Sequence, residues 1–387
     1  MAAPKIRFKR DDGSGYPEWE TMPMSDIFSE IIEKNHPEMP ALSVQQGTGT
    51  VLRDASDRNI QYDRSNLKNY KVIQKNDFII HLRSFEGGLE CSNHDGISSP
   101  AYRILRPKKF IPAAYKDYFR SYDFIHNKLA VAVVGIRDGK NIDMDTFWQI
   151  PMTVASVEEQ QKIADFLSSV DEVIAASEQE VANLETQKKA VMKKIFSQEV
   201  RFKREDGTDF PEWEEKHLSD VSQCLDNQRI PINATERAKI KGNIPYYGAG
   251  NIQGYINKFL FDEDLVLLLE DGDAFDDFGT KSISQFVSGK CWINNHAHVL
   301  RPLENPYFLH CVLSHKDIRQ WTQLAGQSRK KLTQENMMRI TLEMPCLEEQ
   351  RLIADVLSNF DEAISAAKNE LELWKQLKKG LLQQMFV

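Results

Sequence analysis

The sequence has few features that would indicate a metal centre, a disulfide framework or a membrane span. Its five cysteines are odd in number and form no Cys-x-x-Cys pair, so neither a zinc site nor a full disulfide framework fits, and buried free thiols are expected. No continuous apolar run approaches the ~18 residues of a membrane span, and the amino terminus lacks a signal-peptide core. We therefore expect a cytoplasmic protein without a membrane partner.

An excess of positive charge is also absent. The 387 residues carry a net charge of -8, and the segments 1–157, 158–197, 198–347 and 348–387 carry +1, -3, -4 and -2. A nucleic acid would have to bind through local basic patches, because the global charge gives no electrostatic support. With 41% hydrophobic and 27% charged residues, the composition is that of an ordinary globular protein, and the length predicts two to three domains.

Motifs for catalysis or metal binding are incomplete. The stretch Gly279–Ser282 lacks the glycine that precedes lysine in a phosphate loop. Asn305–Tyr307 lacks one proline of the Asn-Pro-Pro-Tyr motif of amino-methyltransferases, so a loop-to-helix turn is expected there. Eight carboxylates in 262–277 miss the calcium-loop spacing, and His296 and His298 have no third ligand. The sequence predicts no catalytic site, and an enzyme built on the acidic stretch is the weaker alternative.

A long internal repeat dominates the sequence. The pattern Arg-Phe-Lys-Arg-acidic-Asp-Gly begins at Arg7 and again at Arg201, and Pro-Glu-Trp-Glu follows each copy, with an offset of 194. Glu-Glu-Gln-x-x-Ile-Ala-Asp-x-Leu begins at Glu158 and again at Glu348, with an offset of 190. Solenoid repeats are only about 20 to 50 residues long. We therefore predict a fused pseudo-dimer, closed and roughly two-fold, whose termini lie close together.

Each half ends in a predicted long helix, 158–197 and 348–387. Apolar residues alternate in steps of four and three along both segments, which is the heptad seam of a coiled coil. Ser156 and Glu159 predict a capping box at the start of the first helix. Lys188 and Lys378 occupy equivalent seam positions, where a polar residue commonly fixes the register. The cyclic order of the segments predicts that the two helices run antiparallel.

The segments 1–157 and 198–347 are predicted to be globular mixed α/β units, because both contain short strand-like runs separated by turn residues. Their flanks are alike and the residues between the flanks differ. Two related platforms with different loops suggest two related but non-identical ligands, such as the halves of an asymmetric site.

Loops of both units carry side chains that can read base edges or position phosphates, and the basic residues Lys140 and Lys330 coincide under the offset of 190. Solvated surface charge is the competing interpretation, and composition leaves it open. The candidate DNA-binding residues are Tyr62, Arg64, Arg83, Ser84, Asn93, His94, Ser98, Ser99, Arg137 and Lys140 in the first unit, and Tyr246, Tyr247, Asn251, Gln253, Lys281, Asn294, Asn295, His296, Arg329, Lys330 and Lys331 in the second.

Three motifs together resemble the specificity subunit of type I restriction-modification systems. They are Phe-Pro-Glu-Trp-Glu at Phe210–Glu214, Gly-x-x-x-Gly-Lys-Asn-Ile at Gly135–Ile142, and the Glu-Glu-Gln pattern that opens each long helix. The resemblance covers essentially the whole chain. It implies two target recognition domains, each binding half of a split DNA site, and two conserved helices that act as spacer and docking surface.

The resemblance also implies the partners. Two modification subunits would methylate adenine with S-adenosylmethionine, restriction subunits would join that core, and this chain would bind no cofactor directly and carry no catalytic chemistry. The alternative is a pseudo-symmetric adaptor that binds proteins and makes no DNA contact. Steeply salt-dependent binding of duplex DNA by the assembled complex would favour the first interpretation.

Overall fold

The computed structural model describes residues 4–53, 64–80, 84–135, 140–248, 250–277, 281–325 and 329–386. The chain divides into two compact units, which we call unit 1 (Met1–Glu178 with Asn369–Val387) and unit 2 (Gln179–Lys368). Each unit combines a mixed α/β portion, which the sequence predicts, with parts of both long helices.

The first half of the chain forms short strands and helices, followed by one long helix. The elements in chain order are β1 (Glu20–Pro23), α1 (Met24–Ile27), β2 (Phe28–Ile31), β3 (Leu42–Gln45), β4 (Gly49–Leu52), β5 (Lys71–Ile73), β6 (Phe78–Ile80), α2 (Ser84–Gly87), β7 (Leu89–Cys91), β8 (Gly96–Ser98), β9 (Arg103–Pro107), α3 (Pro112–Tyr115), β10 (Val133–Val134), β11 (Asn141–Ile142), α4 (Met144–Gln149), β12 (Pro151–Val154) and α5 (Val157–Phe196).

Unit 1 is built on an antiparallel four-stranded sheet with the order β2-β9-β6-β7. β1 pairs with β12, β3 pairs with β4 and β5 pairs with β8, all antiparallel. The core beside the sheet is aromatic: the ring centroids of Phe28 and Phe110 are 5.0 Å apart, and those of Phe119 and Phe124 are 4.9 Å apart. Such edge-to-face pairs add about 0.5–1.5 kcal/mol to the stability gained by burial.

The second half of the chain repeats this plan with differently paired strands between the shared elements. Its elements are β13 (Glu214–His217), α6 (Leu218–Val221), β14 (Ser222–Cys224), α7 (Ala234–Lys239), β15 (Lys241–Tyr247), β16 (Ile252–Ile256), β17 (Phe261–Asp262), β18 (Leu265–Leu269), β19 (Ser284–Val287), β20 (Lys290–Ile293), β21 (Ala297–Pro302), α8 (Pro306–His315), β22 (Gln323–Ala325), β23 (Arg329–Lys331), α9 (Gln334–Met338), β24 (Thr341–Met344) and α10 (Leu347–Phe386).

The sheet of unit 2, β14-β21-β18-β19, has the same order and the same antiparallel pairing as the sheet of unit 1. β13 pairs with β24 as β1 pairs with β12. β18 is buried at all five positions, which explains its continuous apolar run Leu265–Leu269. A second sheet, β16-β15-β20-β17, and the hairpin β22–β23 lie between the shared elements. The frame therefore repeats, and the elements inserted in it differ.

The two long helices contain 40 residues each and begin one residue before the predicted positions. In unit 1, Leu381 and Met385, late in α10, pack in one core with Ile163 and Leu167, early in α5. Unit 2 has the opposite combination, because residues late in α5 share a core with residues early in α10. Within each unit the helices therefore run antiparallel, which confirms that prediction.

The first copies of the repeated motifs meet at the start of α5. The carboxylate of Glu159, fully buried, accepts hydrogen bonds from Arg7 Nη2 at 2.8 Å and from Trp19 Nε1 at 2.9 Å. The hydrogen bond to Glu159 raises the pKa of the Arg7 guanidinium. Ser156 Oγ accepts a hydrogen bond from the Glu159 amide at 3.4 Å. The reciprocal hydrogen bond of a capping box, from the Ser156 amide to the Glu159 carboxylate, is not formed. The predicted capping box is thus only half formed, because Glu159 serves the longer-range contacts.

The second copies make the same contacts at the start of α10. The buried carboxylate of Glu349 accepts from Arg201 Nη2 at 2.9 Å and from Trp213 Nε1 at 3.1 Å. A buried charge is tolerated in a protein when it is paired and hydrogen-bonded in this way. The repeated residues Arg, Trp and Glu therefore belong to the frame.

The amino-terminal segment lies against the end of α10 in unit 1. The amides of Lys5 and Ile6 donate to the carbonyl of Gln384 at 2.9 and 3.1 Å. In the middle of the chain the amide of Val200 donates to the carbonyl of Lys194 at 3.2 Å, at the equivalent place after α5. The first and last described segments are therefore close together, as the cyclic order of the motifs predicts.

Candidate nucleic-acid interface

Several predicted residues of unit 2 converge where β15, β18 and β20 end and β21 begins. The amide of Asn294 donates to the carbonyl of Tyr247 at 3.0 Å, and the amide of Glu270 donates to the carbonyl of His296 at 3.3 Å. The amide of Leu332, directly after β23, donates to the carbonyl of Glu270 at 2.8 Å. We call this edge the unit 2 rim, formed by Tyr247, Asn251, Glu270, Asp271, Asn294, Asn295, His296, Lys330 and Lys331.

The predicted basic residues of unit 2 are paired with the acidic stretch. Lys331 Nζ lies 3.1 Å from Glu270 Oε1, Lys330 forms an ion pair with Asp276, and Lys281 forms one with Asp277. The acidic stretch therefore neutralises the basic residues beside it. Among the described residues no group of three or more histidine, cysteine, aspartate or glutamate side chains is arranged to hold a metal ion.

A buried polar network supports the unit 2 rim from below. Arg229 Nη1 donates to Glu270 Oε2 at 2.8 Å and to the carbonyl of Ala297 at 2.7 Å. His298 lies 2.5 Å from Asp226 through Nδ1 and 2.8 Å from the carbonyl of Leu332 through Nε2. Sequence reasoning missed Arg229 and Asp226, since nothing in their local pattern indicates that β21 and β23 meet above them.

Burial and pairing oppose each other on the carboxylates of this network. Burial would raise the pKa of Glu270, but hydrogen bonds from Arg229 and Lys331 outweigh burial and lower it. Glu270 is therefore held as a carboxylate, and Arg229 links it to the first residue of β21.

The aromatic residues predicted in unit 2 belong mainly to the interior. Tyr246 is fully buried, and its hydroxyl lies 3.2 Å from both the amide and the carbonyl of Ile232. Tyr247 is 9% exposed. Asn251 and Gln253 are exposed, and the carbonyl of Asn251 accepts from the amide of Gly248 at 2.8 Å. The amide side chains are thus accessible to a ligand, whereas Tyr246 is not.

In unit 1, Asn93 and His94 form the turn between β7 and β8, which is held against the hairpin β3–β4. Asn93 Nδ2 donates to the carbonyl of Thr48 at 2.7 Å, and His94 Nδ1 lies 3.0 Å from the carbonyl of Thr50. Gly49 has a φ of 91°, and a Cβ there would lie 2.2 Å from the carbonyl oxygen of Cys91. Only glycine allows this close approach. We call this turn and hairpin the unit 1 rim.

The remaining candidates are divided between the interior and the surface. Ser98 is fully buried in β8, Ser99 is half-buried, and Lys140 is exposed just before β11. Ser98, like Tyr246, belongs to the interior. Tyr62, Arg83 and Arg137 lie outside the described residues, as do the side chains of Arg64, Ser84 and Arg329.

Asn305 caps α8 by accepting a hydrogen bond from the amide of Phe308 at 2.8 Å, which confirms the predicted loop-to-helix turn.

In the part of the chain that the structure describes, no helix has both the length and the apolar character needed to cross a bilayer.

The fold defines a class of protein: two mixed α/β units that repeat one frame, combined with two long antiparallel helices. Residues 16–186 and 211–373 match the model of the type I restriction modification DNA specificity domain, once in each half. The chain therefore belongs to the specificity subunits of type I restriction-modification systems, a family defined by DNA specificity.

Two proteins named as type I restriction enzyme specificity subunits are similar to this chain in sequence. A putative type I restriction enzyme specificity subunit of Haemophilus influenzae is 37% identical over 161 residues, which are 41% of this chain and 38% of that protein. The match thus spans about two fifths of that relative's length. The specificity subunit of the type I restriction enzyme MjaVIII of Methanocaldococcus jannaschii is 22% identical over 335 residues, 80% of this chain and 78% of that protein.

Solved structures share the fold. The S subunit of a type I restriction-modification system from M. genitalium aligns with a TM-score of 0.58 and 15% identity over 100% of this chain and 99% of that chain. A chain from a structure describing complex assembly and conformational transition of the type I R-M system aligns with a TM-score of 0.53 and 16% identity, covering 96% and 98%.

Proposed function

We propose that this chain recognises a bipartite, asymmetric DNA target, with one half read by each unit. The observation that carries the proposal is the repeated frame with two different rims. Because the frame repeats while the rims differ, the two units would contact different base sequences. A symmetric target would need no such difference.

The unit 2 rim has the side chains for this task. Exposed amides at Asn251 and Asn295 of the rim, and at Gln253 two residues after Asn251, can make bidentate hydrogen bonds with adenine in the major groove. Lys330 and Lys331 can leave their carboxylate partners, Asp276 and Glu270, and pair with DNA phosphates instead. Partly exposed ion pairs are worth only about 0–1 kcal/mol, so the exchange costs little.

The unit 1 rim offers a smaller set. In the rim, Asn93 is exposed and His94 is half-buried; outside the rim, Ser99 is half-buried and Lys140 is exposed before β11. The hydrogen bonds from the Asn93 and His94 side chains to the carbonyls of Thr48 and Thr50 keep this turn in one conformation, which reduces the entropy cost of binding. This rim would read the other half of the target.

The chemistry is assigned to partners. Two modification subunits would methylate adenine with S-adenosylmethionine, restriction subunits would join them in the cytoplasm, and this chain would contribute recognition without a catalytic step. The long helices, about 60 Å each at about 1.5 Å per residue, would act as the spacer and the docking surface. The half-sites would then be separated by about one turn of duplex, roughly 34–36 Å.

Genome methylation tests the proposal. A host that carries this gene with its modification subunit should methylate adenines in one split, asymmetric motif, and the same host without this gene should not. Loss of the gene with no change in the methylation pattern would contradict DNA recognition and leave the protein-binding adaptor as the better explanation.

A further inference from the structure

One lysine at the helix seam joins three elements in unit 1. Lys378 of α10 places Nζ 2.5 Å from Asp171 Oδ1 of α5 and 2.6 Å from Asp117 Oδ2. Asp117 belongs to neither helix, since it lies between α3 and the turn that follows. The side chain of Lys378 is only 16% exposed and that of Asp117 only 6%. The ion pairs therefore connect the α/β portion to both helices at one nearly buried point.

In unit 2 the equivalent lysine, Lys188, also belongs to a group that joins three elements. Lys188 of α5 forms an ion pair with Asp361 of α10, and the hydroxyl of Tyr307 in α8 donates to the same carboxylate. Burial and the neighbouring Asp361 raise the pKa of Tyr307, so the phenol keeps its proton and remains a donor. Lys188 and Lys378, like Asp171 and Asp361, are related by the offset of 190 found for the helices. We call the two groups the unit 1 clasp (Asp117, Asp171, Lys378) and the unit 2 clasp (Tyr307, Asp361, Lys188).

We propose that Lys188 and Lys378 are positioning residues that fix the register of α5 against α10 and, through the same charges, fix each recognition unit on its helices. This inference rests on the proposed function. If each unit reads half of a split target, whatever sets the unit on the helices also sets the distance between the half-sites. The clasps would then determine which spacer lengths are accepted.

Electrostatics explains why a lysine can fix the register where an apolar residue cannot. A leucine seam tolerates a shift by one heptad, because apolar contacts are not directional. A nearly buried ammonium is strongly destabilised without an anion, so a shifted register would leave Lys188 or Lys378 without its carboxylate. The wrong registers are therefore disfavoured at two separate points.

The surroundings indicate that pairing, rather than packing, sets the lysine positions. Lys378 lies at the wall of a cavity of ≈ 650 Å³ that is also lined by Lys379 and Leu382. Lys188 lies at the wall of a cavity of ≈ 630 Å³ that is also lined by Lys189 and Met192. Each side chain therefore has open space on one side, and its carboxylate partners hold it in place. Four helical residues that line each cavity are related by the offset of 190: Glu185, Lys188, Lys189 and Met192 in unit 2, and Lys375, Lys378, Lys379 and Leu382 in unit 1.

The clasps differ in charge, which gives a sharp test. In unit 1 the lysine has two carboxylates, and Asp171 is also 3.1 Å from Lys116. In unit 2 the lysine has one carboxylate, and the third member is a neutral hydroxyl. Exchanging lysine and aspartate should be tolerated in unit 2, because a hydroxyl can accept from an ammonium. The same exchange in unit 1 should fail, because it places two carboxylates together and two ammonium groups together.

The experiment uses the full chain assembled with its modification subunits. A DNA library holds both half-sites constant and varies the spacer by one base pair in either direction, and methylation is read by sequencing. Lys188→Met and Lys378→Met should each lower the preference for the native spacer by about tenfold or more, with the half-site sequences unchanged. Lys189→Met and Lys379→Met remove the same charge from exposed neighbours and should leave the preference as it is.

Two further sets of variants complete the test: exchange of lysine and aspartate within each ion pair, and removal of the Tyr307 hydroxyl. Lys188→Asp with Asp361→Lys should restore the native preference, whereas Lys378→Asp with Asp171→Lys should not. If the methionine variants do not fold, Tyr307→Phe decides, because it keeps the ion pair and removes only the link to α8; it should lower the preference several-fold. An unchanged spacer preference in folded Lys188→Met and Lys378→Met, or in Tyr307→Phe, would overturn the inference.

The two proposals fail in different ways. A complex of the unaltered chain that methylates no split target contradicts the proposed function, and the spacer role falls with it. A complex that methylates its target normally, with or without the clasps and at the same spacer, contradicts only the inference about Lys188 and Lys378.

Discussion

The repeated frame and the two rims obey different constraints. At the starts of α5 and α10, an arginine, a tryptophan and a buried glutamate make the same contacts at nearly the same distances in both units. At the rims, unit 1 holds a turn against the hairpin β3–β4, whereas unit 2 adds a sheet and a basic strand beside an acidic stretch.

The difference shows which repeated residues are structural. Glu159 and Glu349 are kept because each satisfies a tryptophan and an arginine far away in sequence. The rims contain no such shared contact, so they are free to differ without disruption of the frame. Within this chain, similarity between the halves marks the scaffold, and dissimilarity marks the proposed recognition surface.

The largest expected effect comes from breaking the frame. Glu349→Ala leaves the guanidinium of Arg201 with only the exposed carboxylate of Glu212, and breaking a buried pair by removing one partner costs about 3–5 kcal/mol. The free energy of unfolding, measured by urea denaturation, should therefore decrease by up to that amount. Glu348→Ala, at an exposed neighbour, should change it by less than about 0.5 kcal/mol.

The equivalent pair in the first half tests whether the frame is truly repeated. Glu159→Ala should cost about as much as Glu349→Ala, and Glu158→Ala as little as Glu348→Ala. A large cost in one half and none in the other would show that the shared contacts do different work in the two units.

The rims should give the next largest effect, and only on one half of the target. Asn295→Ala removes an exposed amide of the unit 2 rim, and the absence of a bidentate hydrogen-bonding pair to a base costs about 1–3 kcal/mol of discrimination. Sequencing of methylated sites should show a relaxed position in one half-site. Asn93→Ala is the matched change in unit 1 and should relax a position in the other half-site. Relaxation of both halves by one substitution would contradict separate recognition.

The lysines of β23 should affect DNA binding without changing its sequence preference. Removing Lys330 and Lys331 together should make the affinity of the assembled complex less dependent on salt, by about 0.9 in the logarithmic slope for each phosphate that is no longer neutralised. Lys258→Ala, beyond the opposite end of β16, is the matched control. An unchanged slope in the double variant would place the phosphate-binding residues elsewhere.

The smallest effect concerns acid stability. Burial would raise the pKa of Asp226, but the hydrogen bonds from His298 and the Val299 amide, with the charge of Arg229, lower it below its ordinary value of 3.8. A carboxylate with a lowered pKa contributes stability above the unfolded pKa, and that contribution disappears as the pH falls through the folded pKa. Urea denaturation of Asp226→Asn should therefore show a weaker loss of stability below pH 3.8 than the unaltered chain does. If the stability of Asp226→Asn fell as steeply below pH 3.8 as that of the unaltered chain, Asp226 would not contribute to the acid sensitivity.

Much of the scaffold was predictable because its signals are local or repeated. The seam of α5 and α10 follows from heptad spacing, β18 from its apolar run, and the cap of α8 from Asn305. The long-range contacts could not be predicted, because Glu159 meets Arg7 only once the chain has folded. The same holds for Arg229 beneath the rim. Ser98 and Tyr246 have the chemistry of a binding residue, but the fold uses both in the interior, which composition does not reveal.

The most direct test of the central claim replaces the second half of the chain with a second copy of the first half. A chain containing residues 3–196 twice, one full period of the 194-residue offset, would have two unit 1 rims on one frame. We predict that this chain, assembled with its modification subunits, methylates an inverted repeat of a single half-site, identified by genome sequencing. A folded, assembled complex whose methylated motif remained asymmetric would contradict it.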